Sequence, residues 1–189
     1  MKRLAALLCL LSFATTAAAA WDINQLMNDL AQKTGGRAKF VEKQYLAVLD
    51  KPLVSSGEML YTAPHRLEKR TVSPKAELIT LDNDMLYVER GGKKFSLRLS
   101  SRPEAVAFVD SIRGTLTGNR KLLEASYSLF LSGNPANWSL RLLPSDTDIA
   151  AILRSIDIRG AHDRVLSVEY QLADGDRTVM TFTPIEASP

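Results

Sequence analysis

The two histidines, His65 and His162, are the side chains best suited to proton transfer or metal ligation near neutral pH. They lie far apart in the chain, each beside turn-forming residues, so neither a metal pair nor a catalytic dyad is spelled out. Three close carboxylate pairs, Asp82/Asp84, Asp146/Asp148 and Asp174/Asp176, have the residue type for acid–base work or cation binding. Aspartate also stabilises turns and helix caps by accepting hydrogen bonds from nearby backbone, and hairpin turns and a helix cap account for all three pairs. No G-x-S-x-G elbow, phosphate-cradling glycine loop or H-E-x-x-H occurs. The reading is of a protein that is not an enzyme, with no catalytic residue, no metal and no cofactor.

Charge is the next feature able to carry function. Arg66, Lys69, Arg70, Lys75, Lys93, Lys94, Arg98 and Arg102 form a basic set that would suit anionic lipid headgroups or an acidic receptor. Glu68, Glu77 and Glu89 balance it, and the favoured reading is a solvated outer sheet face. The net charge of +3 over 189 residues falls to +1 if Lys2 and Arg3 are removed, which calls for no nucleic-acid partner. Apolar residues at 46% and charged residues at 24% exclude a disordered chain or a multi-span membrane protein and leave one domain with a substantial core.

Residues 1–20 read as a cleaved signal peptide. Lys2 and Arg3 precede an apolar stretch ten residues long, Leu4 to Phe13, and Ala18-Ala19-Ala20 forms a small-residue cleavage site before Trp21. Such a stretch is too short to span a bilayer core of roughly 30 Å. Cys9, the single cysteine, falls inside the leader, with Leu8 where a lipobox wants a small residue. The expectation is a soluble periplasmic protein, residues 21–189 forming one domain held by its core rather than by disulfides.

The hydrophobic period then places the elements. Ile23, Leu26, Met27 and Leu30 trace one helical face behind Asp22 as cap, and the helix is expected to end at Gly35-Gly36. A period of two follows, with strands at 37–49, 56–62 and 67–72 and a meander over 77–81, 85–90 and 94–99. The period lengthens again after Ser101, which with Glu104 reads as a capping box. Pro103 falls in the first turn, and Ala105, Phe108, Val109, Ile112 and Leu116 share one face. A short helix near 119–125 leads back into strands at 127–131, 138–143, 155–159, 165–172 and 178–183. Alternations such as Phe95, Leu97, Leu99 against Lys94, Ser96, Arg98 require a sheet with one wet face. The fold class is therefore mainly β with α: a single curved antiparallel sheet of about 10–11 strands with helices over its inner face.

Phe40-Val41-Glu42-Lys43-Gln44-Tyr45, then Leu53, Ser56-Gly57-Glu58-Met59-Leu60-Tyr61, then Pro64-His65-Arg66-Leu67, resembles the N-terminal half of the periplasmic outer-membrane lipoprotein carriers, the LolA-like family. The order of leader, short helix, Phe-led strand, Gly-led strand, Pro turn, meander and inserted helix is similar over most of the chain. The resemblance implies an incomplete β-barrel closed by a helical lid over an apolar cavity. That cavity would take up the acyl chains of a lipoprotein or other acylated amphiphile. It also implies an inner-membrane donor complex, an outer-membrane acceptor and a monomeric carrier. The family carries a latch arginine before the turn proline, where this chain has Ala63, and often a glutamine where it has Glu42. Carriage of a small acylated or polyene lipid, and a sensor or interaction module on the same scaffold, stay open beside lipoprotein carriage.

Phe40, Leu60, Phe95, Phe108, Ile112, Trp138 and Tyr170 are the candidate cavity and lid residues, each also able to serve as ordinary core. If the inserted helix is the lid, Phe108 and Ile112, one turn apart, meet the cavity wall or the cargo. Met27, Met59, Met85 and Met180 are adaptable enough to line a pocket that must both hold and release its contents.

Overall fold

The computed structural model describes residues 21–186, so the leader, its cleavage site and Cys9 lie outside the described residues. The first half of the domain runs α1 (Ile23–Ala31), β1 (Gly35–Tyr45), β2 (Leu53–Thr62), β3 (Arg66–Ser73), β4 (Glu77–Asp82), β5 (Met85–Arg90) and β6 (Lys93–Arg98). A 3-10 turn leads into α2 (Pro103–Leu116) and α3 (Arg120–Glu124). The chain returns through β7 (Tyr127–Asn134), β8 (Asn137–Pro144), α4 (Thr147–Ala150), β9 (Leu153–Ala161), β10 (Arg164–Leu172) and β11 (Arg177–Ile185).

All 11 strands form one antiparallel sheet in the order β6-β5-β4-β3-β2-β1-β11-β10-β9-β8-β7. Two meanders are thus joined by the long-range pair β1–β11, which sets Phe40 opposite Phe182. β6 and β7 remain edges, so the sheet does not close into a barrel.

The helices divide the inner face. Leu26, Met27 and Leu30 of α1, Ala107 of α2 and Leu123 of α3 pack on Trp138, Leu140, Leu142, Leu153, Ile156 and Ile158, filling the β7–β9 half with a close-packed core. Asp22 caps α1 through a capping box with Gln25. Asp146 caps α4, and Asp174 accepts from the Asp176 amide in the β10–β11 turn, as the turn and cap reading of these aspartates requires.

Three local expectations are corrected. α1 stops at Ala31, and Gly35-Gly36 opens β1 instead of ending the helix. A Cβ on Gly35 would sit 2.8 Å from the Tyr61 carbonyl oxygen, so strand pairing rather than helix termination calls for glycine there. β1 ends at Tyr45, four residues early, because the Leu49 amide turns back to the Leu46 carbonyl and the Ala47 amide donates to Asp176. At α2 the N-cap is Arg102 without a side-chain cap, while the Ser101 hydroxyl donates to the Arg98 carbonyl. Pro103 opens this helix in place of a capping box.

Candidate functional site

α2 has two jobs. Its Ala107 and Phe108 side faces the packed half of the domain, whereas Val109, Ile112 and Leu116 face a cavity of about 720 Å³ over β1–β5 and β9–β11. The opposite wall alternates as strands must: Ala38 on β1, Met59 and Tyr61 on β2, Leu67 and Lys69 on β3, Ile79 and Leu81 on β4 and Leu86 on β5 point inward. Val168 and Tyr170 on β10 and Met180 and Phe182 on β11 continue it. The volume is that of a small-molecule or acyl-chain site, and most of the lining is apolar.

Two of the residues singled out in the sequence, Ile112 and Tyr170, line this cavity. Phe108 stacks obliquely on Tyr170 with ring centroids 5.9 Å apart and packs against the core. Phe40 and Trp138 are each 1% exposed on the inner face, Trp138 within the packed half. Leu60 alternates with the inward Met59 and Tyr61 and is 37% exposed, and Phe95 is 60% exposed on the edge strand β6. Met59 and Met180 line the cavity, while Met27 is in the core.

Two contacts hold α2. The buried Tyr127 hydroxyl donates to the Ala107 carbonyl at 3.0 Å, and its own proton is held tightly, because burial pushes the phenol far above its ordinary range. Near the other end, Arg113 donates through Nη2 to the Asn83 carbonyl at 2.6 Å, tying the helix to the β4–β5 turn. Ala63 carries no side chain able to latch anything. The arginine that spans helix and sheet is helix-borne.

Asp110, on the same helix, is half-buried, and burial holds its carboxyl above the usual aspartate range while Arg113 opposes the shift. The folded protein therefore binds this proton more readily than the unfolded chain. The stability associated with it is full below the aspartate range and is lost as pH rises through the raised value. Asp110→Asn is expected to raise the melting temperature at about pH 7 and leave it unchanged near about pH 3. Thermal melts at both pH values check this, and an equal shift at both contradicts it.

One charged pair enters the inner face. Lys69 Nζ lies 2.5 Å from Glu42 Oε2 and 5.1 Å from the centroid of the Phe40 ring, and the Glu42 side chain is only 8% exposed. Gln44 Nε2 and Ser55 Oγ also donate to Glu42, at 2.9 Å and 3.4 Å. Lys69 thus departs from the solvated outer-face reading given to the basic set. It shares the parity of Leu67 along β3, and that parity was the sequence signal for an inward lysine. Other members of the set stay on the surface in pairs, Arg66 with Glu68 and Asp82 and Lys94 with Glu89.

Among the described residues no cluster of three or more His, Cys, Asp or Glu side chains could hold a metal, and no helix is long and apolar enough to cross a membrane. His162 lies in the β9–β10 turn with φ 54°, where its carbonyl accepts from the Trp138 indole at 3.0 Å.

The sequence matches the family model for LolA-like outer membrane lipoprotein carrier proteins over residues 15–186. A search of the curated proteins returned no match. Among solved structures, the LolA superfamily protein NE2245 from Nitrosomonas europaea is 10% identical over 88% of this chain and 93% of its own, with a TM-score of 0.44. The MucA/MucB complex of Pseudomonas aeruginosa is 14% identical over 89% and 59%, with a TM-score of 0.49. The Mycobacterium tuberculosis lipoprotein LppX is 8% identical over 87% and 97%, with a TM-score of 0.44.

Proposed function

Because the chain belongs to the LolA-like outer membrane lipoprotein carrier family, we propose that it is a periplasmic, non-enzymatic carrier. It receives the acyl chains of a lipoprotein or similar amphiphile beneath α2 and passes them toward the outer membrane. The observation that carries this reading is the apolar cavity of about 720 Å³ between one face of α2 and the inner face of the sheet. Each methylene removed from water there contributes roughly 0.8 kcal/mol, so a sixteen-carbon chain gains on the order of 12 kcal/mol before binding costs. Release against such a gain needs a wall that can refill the space, which Met59 and Met180 supply from the sheet side. Cargo arrives from an inner-membrane donor and leaves to an outer-membrane acceptor, the protein acting as a monomer after loss of residues 1–20.

The direct test is to purify the exported protein without detergent, extract it with organic solvent and identify what comes off by mass spectrometry. Stoichiometric acylated material is the expected result, together with binding of Nile red by the stripped protein. Stripped, folded protein that binds neither Nile red nor any acyl compound would refute the carrier reading.

A further inference from the structure

The cavity wall contains hydrogen-bond donors that the described residues do not satisfy. Among the described residues, the acceptor for the three-donor Lys69 ammonium is Glu42 alone. The Tyr61 hydroxyl, two positions from Met59 on β2, is buried with no hydrogen-bond partner among the described residues. Burial raises the Tyr61 phenol above its ordinary value, so it remains a protonated donor. Two other hydroxyls of the wall are spent: Ser111 donates to the Phe108 carbonyl at 2.6 Å and Thr115 to the Ser111 carbonyl at 2.7 Å. A pocket for bare hydrocarbon has no use for a charged pair, which is costly to desolvate, or for an unpaired hydroxyl.

The sign of the missing acceptor follows from the charges. Glu42 already neutralises Lys69 and keeps two further donors, Gln44 and Ser55, so the island as a whole is neutral. A ligand carboxylate brought to Lys69 would meet the Glu42 carboxylate in a low-dielectric site, where two like charges disfavour each other. A carbonyl oxygen meets no such repulsion and takes up the spare N–H and O–H donors. Nearer the strand ends, Lys33 and Arg37 are likewise paired, with Asp163 and Glu58, and Arg164 lies beside the same Asp163.

Resting on the carrier reading, we infer that the cavity selects acyl groups whose neutral ester or amide carbonyl enters it and accepts from Lys69 and Tyr61, in preference to free fatty-acid anions and to plain alkanes.

The experiment displaces Nile red from stripped full-length mature protein with three ligands of similar length: methyl palmitate, palmitate and heptadecane. Wild type is expected to bind methyl palmitate at least about tenfold more tightly than either of the others, the worth of one hydrogen bond to a charged donor. Glu42→Gln combined with Lys69→Met removes both charges together, and its preference for the ester over the alkane is expected to fall to within about threefold. Tyr61→Phe deletes an unpaired buried hydroxyl without adding bulk, so it folds even if the double variant does not. It is expected to weaken the ester by about threefold and leave heptadecane unchanged. Equal wild-type affinities, or an ester preference that survives in the double variant or in Tyr61→Phe undiminished, overturn the inference while leaving the carrier reading standing. Failure of all three ligands to displace Nile red from folded wild type overturns both.

Discussion

Ile112→Glu is expected to leave a folded protein that has lost at least about a hundredfold of its affinity for an acyl ligand. Ile112 projects from α2 into the cavity, so in the empty protein a glutamate there stays in contact with water. A bound chain would strip that water away without supplying a partner, and the cost falls on the complex rather than on the fold. Phe108, one turn earlier, gives the contrast. Its ring packs on Tyr170 and against the core, and burial pushes the Tyr170 hydroxyl up to about 12, with the Ser111 hydroxyl opposing and Glu42 adding. Phe108→Glu places its charge between the Tyr170 ring and the core and is expected to lower the melting temperature sharply. Melts and Nile red titrations of both variants check the pair, and a reversal, with Ile112→Glu unfolded and Phe108→Glu folded but unable to bind, would show that α2 turns its other side to the cavity.

Trp138→Ala is expected to cost about 3–5 kcal/mol of stability, the range for deleting a large aromatic from a close-packed interior. The indole is 1% exposed, donates to the His162 carbonyl at 3.0 Å, and lies so close over Gly160 that a Cβ there would be 2.2 Å from its ring. Its removal leaves a cavity and an unsatisfied carbonyl in the β7–β9 half, away from the acyl-sized space over β1–β5 and β9–β11. Urea denaturation should show the loss as a lowered midpoint with an unchanged slope. Binding by the fraction that remains folded should be close to wild type, and a stable variant with lost binding would place Trp138 in the site.

The amino-acid sequence by itself determines the local elements, because periods of 2 and 3.6 are properties of neighbouring residues. The alternation of Trp138, Leu140 and Leu142 against Ser139 and Arg141 marks β8 and its inner face without reference to any partner, and Ile23, Leu26, Met27 and Leu30 do the same for α1. The cleaner the alternation, the more of the sheet is legible, which is why its single antiparallel character and its inserted helix could be read from residue types. Boundaries were less legible, since the end of β1 at Tyr45 depends on Asp176, 129 residues from the Ala47 amide it captures.

What only the tertiary structure decided is which part of one continuous apolar face is filled and which is left open. Trp138 and Ile112 both fall on apolar faces of their elements, and no local pattern distinguishes a residue beneath α1 from one beside the cavity. That distinction follows from where α1, α2 and α3 settle on the sheet, a matter of long-range packing. The Glu42–Lys69 pair has the same origin. Each residue reads alone as an ordinary strand charge, and the pairs β1–β2 and β2–β3 bring them together across 27 positions of sequence on the inner face. A buried charge is tolerated only where its partner is delivered, and delivery is a property of strand register, not of either residue.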